Sequence, residues 1–544
     1  MRNTTYPGHD LPTKRYFKHF TKSVLIPIFR RYISIIFFFL SFTAFSQKPN
    51  LDLKYTVSFP EPASHSYQVQ FYCSGWNHDS IYLKMPNWMP GYYQLMDYAK
   101  NVQNLTAHTE GNKSVPVEKV NGNTWLISSI KNKAFFVNYK IVTSRQFVAN
   151  SYVDSSHAYL IPENTFLYIK DHIQQPVFVT IDNNASWKNV ATGLMPVAGK
   201  LNVFSAPDFD ILYDCPILFG DLTELPSFKV RGINHRFLGY DMGHFDSVLL
   251  MQNLHKVVQA ATDIIGDIPY KEYTFIGIGP GRGGIEHLNN TTISFDGSGL
   301  DQPGAMNKVM NFIAHEFFHN YNVKRIRAFE LGPFDYDKGS KTNLLWVNEG
   351  LNVYYEYLIV KRAGLSDLNT LLADFSGNLN TVQHNPGRLY QSLQQSSYAT
   401  WADGPFGTQG TEKGKTISYY EKGPLVGLML DFAIRNATEN KKSLDDVMRM
   451  LYWNYYKGKQ RGFTDAEFQQ TCEETAGIPL TELFEYVYTT KEPNYDKYFS
   501  YGGLQINKQI ITTEDNKQEE KFSISKINQL SPLQKNILAS WLGE

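Results

Sequence analysis

A change of texture near residue 240 constrains this chain more than any other feature. Between residues 50 and about 230 the sequence runs in short alternating segments: LDLKYTVSF, SYQVQFYC, SIYLKMP, TWLISSI, AFFVNYKIV and PVFVTID. Pro, Gly and Asn turns separate them, and no long helical pattern intervenes. Alternation with a period of two buries one face of a strand, so this half predicts an all-β domain, a sandwich or a curved sheet, over 47–232. Beyond it the period lengthens. FDSVLLMQNLHKVVQAATDII reads as a helix and KEYTFIGIG as a strand, and SLDDVMRMLYWNYY and TDAEFQQTCEETAG read as later helices. The expectation is a multidomain α+β chain in which an all-β N-terminal domain precedes a mixed domain with a helical lobe, over 233–500. A short segment, 501–544, follows it with a strand-like piece and the charged stretch TTEDNKQEEK.

Charge excludes one broad class. The chain balances 52 basic against 52 acidic residues, so nothing favours a polyanion, and no nucleic-acid partner is expected. Cys73, Cys215 and Cys472 lie far apart without a C-x-x-C pair, which reads as three buried thiols rather than a cysteine metal knuckle. The apolar run YISIIFFFLSFTAF, 32–45, follows Arg30 and Arg31 and is shorter than the ~20 residues of a membrane span. With Ala44-Phe45-Ser46 behind it, residues 1–46 are expected to be an export signal cleaved before Gln47, or else an uncleaved anchor. The mature chain is then expected in the periplasm or outside the cell, with no stable membrane span. The oligomeric state is not legible.

Chemistry concentrates in NFIAHEFFHNYNVKRIR, 311–327. His315 and His319 are one helical turn apart and share a face, where they can hold one tetrahedral metal ion, with Glu316 between them placed to act on a water. Asp301 is the expected N-cap, with Pro303 in the first turn. Met306, Val309, Met310, Ile313 and Phe317 form an apolar stripe roughly opposite the histidines, and Lys324, Arg325 and Arg327 crowd the C-terminal end, where cations suit the dipole. Two surface histidines four apart by coincidence are the bland alternative. Downstream, LLWVNEGLNVYYEYLIVKRAG predicts a second helix ending at Gly364, with Glu349 in its first turn. A carboxylate from a following helix completes a His₂Glu zinc set with one open position; a first-turn Glu favouring the dipole is the alternative. Upstream, Gly279, Gly281 and Gly284 spell G-x-G-x-x-G after a strand. A dinucleotide site needs a helix there, whereas IEHLNNTTISF looks extended. Gly283 and Gly284 instead lead into an edge strand that can hold a peptide backbone by strand addition.

PNWMPGYYQLMDYAKNVQ, GGIEHLNN, HEFFHNYNVKRIR, LLWVNEGLNVYY and SYYEKGPLVGLMLD together resemble the glycyl aminopeptidase family of gluzincin metallopeptidases. Several are also similar to the aminopeptidase N family, in which G-x-M-E-N, H-E-x-x-H, N-E-G and Y-E-K-G occur in this order. The resemblance implies a thermolysin-like catalytic domain with one zinc ion on His315, His319 and Glu349, and Glu316 as general base. It further implies Tyr420 as the oxyanion donor and Glu286 as the carboxylate that takes the substrate's free α-amino group. Chemistry alone leaves Tyr419 open for the phenol's role. Family members often end in a PDZ domain, for which 501–544 is too short, and Arg327-Ala328 stands where the family has a proline after the arginine. The expected activity is zinc-dependent release of small N-terminal residues, glycine or alanine, from peptides. An endopeptidase on the same scaffold and a non-catalytic peptide-binding protein are the alternatives.

Overall fold

The computed structural model describes residues 51–182, 187, 189–512 and 518–544; the expected export signal lies outside them. In the N-terminal half, the alternation seen in the sequence becomes two-faced strands. Asp52–Ser58 buries Leu53, Tyr55 and Val57 while Lys54 stays exposed. It pairs antiparallel with Ser66–Ser74 and parallel with Val177–Ile181. These strands lie within an eight-stranded sheet, accompanied by two four-stranded sheets. Tyr55, Phe71, Val137, Phe166 and Leu218 are among the side chains that fill the space between them.

The second half is built on a sheet of its own. Ile233–Gly239 and Glu272–Gly277 run parallel, joined by helix α1 (Ser247–Ile265). Asp246 caps α1 by accepting from the Leu249 N–H, and Gly266 closes it at φ +86. Asn290–Ile293 continues the parallel order, and Gly284–Glu286 pairs antiparallel on its outside, as the last strand of the sheet. The period of two gives this sheet two apolar faces. Leu238, Ile276 and Ile285 join the β-domain core, while Phe237, Phe275 and Ile293 join the helical core.

Helix α2 (Ala305–Phe318) carries the first two residues of the H-E-x-x-H motif. It starts later than expected. Gly304, not Asp301, occupies the cap position at φ +76, a left-handed conformation that a right-handed helix cannot contain, so residues 301–303 form a turn ahead of it. It also ends earlier, with His319 as C-cap. The cations expected at its C-terminus therefore serve other partners. Lys324 pairs with Asp214 at 2.8 Å, Arg325 donates to the Leu288 and Asn320 carbonyls, and Arg327 lies over the Phe334 ring. His315, Glu316 and His319 are all buried.

A π-helical turn, Trp346–Gly350, precedes α3 (Leu351–Arg362), and Gly364 follows at φ +70. Helix α4 (Tyr419–Ala437) crosses the π turn at very short range: a Cβ on Gly350 would lie 2.8 Å from the Gly423 Cα. The glycines of N-E-G and E-K-G thus let two backbones touch. Toward the C-terminus, Leu504–Thr512 and Gln518–Lys526 form a hairpin, and α5 (Pro532–Leu542) packs on the helical lobe. Trp541 of α5 is fully buried against Phe432, and its Nε1 donates to the Tyr354 hydroxyl at 3.0 Å. Among the described residues no helix is long and apolar enough to cross a membrane.

Candidate active site

Helix α2 delivers His315 and Glu316, its C-cap delivers His319, and the π turn delivers Glu349. Each of the three candidate ligands, His315, His319 and Glu349, offers a donor atom within 4.8 Å of the others. Glu349 Oε2 lies 3.3 Å from His319 Nε2 and 3.6 Å from His315 Nε2. Donors around a tetrahedral ion with bonds of ~2.0–2.1 Å stand roughly 3.4 Å apart, so the spacing fits zinc. The other ring nitrogens are committed: His315 Nδ1 to Glu356 Oε2 at 2.7 Å, and His319 Nδ1 to the Asn322 carbonyl at 2.7 Å. Those bonds fix both rings with Nε2 toward the common point. Asn352 Nδ2 donates to the His315 carbonyl and holds the helix against α3.

Electrostatics sets the carboxylates apart. Burial opposes charge on Glu349, but His319 and His315 beside it outweigh burial and hold it well below the usual carboxylate range. Burial pushes Glu316 up to about 7; His315 and His319 pull it down and Glu286 pushes it up. Glu316 Oε2 is buried without a hydrogen-bond partner, so no protein group competes for it. Gly284 lies against this carboxylate, where any Cβ would collide with it.

Tyr420 and Tyr419 part company here. Tyr420 donates its hydroxyl to Glu349 Oε2 at 3.0 Å, whereas the Tyr419 hydroxyl meets Thr400 Oγ1 at 3.2 Å. Glu286 ends the edge strand, 4% exposed, with Oε1 lacking any partner. Gly91 of the β domain, at φ +97, backs that carboxylate so closely that a Cβ would lie 2.9 Å from its oxygens. Gly283, at φ +97, turns the chain into the edge strand, and its carbonyl accepts from the Ser294 N–H. All eight residues singled out in the sequence therefore gather around one centre or its adjoining strand.

The β domain contributes a group of its own to this centre. Its Tyr93 donates to Glu349 Oε1 at 2.9 Å, although 256 positions separate the two residues. Burial, with Glu349 beside it, raises the Tyr93 phenol well above its usual range and keeps it a donor. Sequence reasoning missed Tyr93, Gly91 and Glu356: for the first two, PNWMPGYYQ, part of the family resemblance, is the only signal, and Glu356 falls one residue beyond LLWVNEGLNVYY. A cavity of about 490 Å³ adjoins this region, with Gly91, Tyr93, Glu286 and Arg327 in its walls and none of His315, His319 and Glu349 among its lining.

Comparison with known proteins follows the same division of the chain. Residues 54–221 match the Peptidase M61 N-terminal domain, and residues 308–426 match M61 glycyl aminopeptidase, together just over half of the sequence. No curated protein matches it. Among solved structures, an aminopeptidase N family protein from Idiomarina loihiensis superposes with a TM-score of 0.79 at 24% identity, over 86% of this chain and 81% of that one. An M1 zinc metallopeptidase from Deinococcus radiodurans gives 0.50 at 13% identity, over 82% and 96% respectively. Yeast LTA4 hydrolase in complex with Bestatin gives 0.50 at 17% identity, over 82% and 68%. The structural likenesses carry the fold, and with the family matches they define the class: a metallopeptidase. The chain belongs to the M61 glycyl aminopeptidase family.

Proposed function

We propose that this protein is a zinc aminopeptidase that releases small N-terminal residues, glycine or alanine, from peptides with a free amino terminus, using one ion on His315, His319 and Glu349. The observation that carries the aminopeptidase reading is the Glu286 carboxylate: buried at the edge strand, backed by Gly91, with Oε1 free of any partner. An unpartnered buried carboxylate is costly, and an α-ammonium group satisfies it. The preference for small residues rests on the family's description.

When bound, zinc supplies Lewis acidity to the scissile carbonyl and to the attacking water. The chain's own residues do the rest. Gly283, Gly284 and the outer edge of Gly284–Glu286 align the peptide backbone, and Glu286 takes its ammonium group. Glu316, unengaged and raised by burial, accepts the water proton and returns it to the leaving amine. Tyr420 turns its hydroxyl from Glu349 to the developing oxyanion. The β domain, 47–232, forms one side of the site, the domain 233–500 the other, and 501–544 closes the helical lobe.

A second reading, an endopeptidase, draws on the cavity of about 490 Å³ beside Glu286, which offers room on the amino-terminal side of the scissile bond. Hydrolysis of glycyl- and alanyl-anilides beside an N-acetylated peptide, with and without a chelator, separates the two. Chelator-sensitive release from free amino termini alone is the expected result; efficient cleavage of the acetylated peptide establishes the endopeptidase instead.

A further inference from the structure

We propose that Tyr93, supplied by the β domain, is a positioning residue of the metal centre: it holds the outward oxygen of Glu349, which fixes the third ligand and leaves Tyr420 free to serve the substrate. The inference rests on the assignment of His315, His319 and Glu349 as ligands.

The two oxygens of Glu349 have different surroundings. Oε2 faces both imidazoles, at 3.3 and 3.6 Å, and receives the Tyr420 hydroxyl at 3.0 Å. Oε1 points the other way and receives the Tyr93 hydroxyl at 2.9 Å. Two phenols therefore bracket one carboxylate, but their positions are not equivalent. Tyr420 sits beside the oxygen that faces the metal point, half-buried, next to the exposed ring of Phe406. Tyr93 is buried, edge-on to Trp401, and its hydroxyl donates to a carboxylate oxygen.

The loop that presents Tyr93 is held in advance. Trp88 Nε1 donates to the Tyr92 carbonyl at 2.7 Å, the Met96 N–H donates to the Asn87 carbonyl, and the Trp88 ring packs against Phe334 and Trp401 of the catalytic half. A donor fixed by such packing restrains the carboxylate's rotation with little entropy left to lose. The ligand's orientation is thus set from the other domain, and seating of the β domain becomes part of metal affinity. Outer-shell partners of this kind are typically worth ~10–100-fold in metal affinity.

The test measures zinc affinity of the mature chain by competition with a chelator of known affinity, for wild type, Tyr93→Phe and Tyr420→Phe. Thermal unfolding of each metal-free form controls for folding. Tyr93→Phe is expected to weaken zinc binding by ~10–100-fold with the metal-free unfolding midpoint unchanged, and its lost turnover returns as free zinc is raised. Tyr420→Phe is expected to keep wild-type affinity and to lose turnover that no excess of zinc restores. Wild-type affinity in Tyr93→Phe overturns the proposal, as does equal weakening in both variants or a fall in the metal-free midpoint that accounts for the loss. If wild type itself binds no zinc, the ligand assignment fails, and that outcome is separate from either result for Tyr93.

Discussion

The basicity of Glu316, the proposed general base, is set by what surrounds its carboxylate. Burial raises it, two imidazoles lower it, Glu286 raises it again, and the balance stands at about 7. A bound dication adds a further downward pull. A general base acts when deprotonated, so under the proposed mechanism kcat/KM is expected to fall as pH drops, with the midpoint of this acid limb at or below about 7. Removing the proposed base by Glu316→Gln should lower kcat by ~10²–10⁴-fold with zinc stoichiometry intact. Retained turnover in that variant assigns the proton to another group. At this scale the sequence was informative where spacing carries chemistry: His315, Glu316 and His319 sit in one motif, and Glu349 follows in N-E-G. It was silent where a residue of a common type arrives from far away. Tyr93 is one of 35 tyrosines, and only the folded chain brings it to Glu349.

Elements matter through the contact between the π turn and α4. Gly350 and Gly423 approach so closely that either Cβ would meet the other backbone, and this approach sets Tyr420 beside Glu349. Gly423→Ala is therefore expected to push α4 away, destabilise the fold by ~1–3 kcal/mol and lower kcat more than KM is raised. Unfolding in denaturant and steady-state kinetics check both parts; an unperturbed variant would mean that the backbones yield without consequence. The motifs N-E-G and Y-E-K-G were legible as neighbours of chemistry, but the reason for their glycines was not, because it lies between two helices. The start of α2 was misplaced for a local reason: Asp301 and Pro303 suit a helix start, yet Gly304 adopts φ +76 and restarts the chain after them.

At the scale of the molecule, Asp214 ties the halves together. From the β domain it accepts from Lys324 Nζ at 2.8 Å, the Leu288 N–H at 2.7 Å and His287 Nδ1 at 3.1 Å. Burial opposes its charge, but Lys324 and His287 win and hold it at about 2. A depressed carboxylate stabilises the fold above its ordinary range and loses that contribution as pH falls from about 4 towards about 2. Asp214→Ala leaves Lys324 buried without its partner and should cost about 3–5 kcal/mol in denaturant unfolding. It should also flatten the acid dependence over that window; an unchanged dependence assigns the acid sensitivity elsewhere. The β-then-helical order was readable from period alone. The place of 501–544 was not, since only assembly shows Trp541 completing the core of the helical lobe.

The most direct test of the account is the steady-state kinetics of Glu286→Ala on glycyl- and alanyl-anilide against an N-acetylated peptide. The account predicts a variant that still binds zinc at wild-type stoichiometry, loses most of its kcat/KM on the free-amine substrates and gains nothing on the blocked one. Wild-type kinetics on the anilides in that variant would contradict it, because the amino terminus would then be read by some other group.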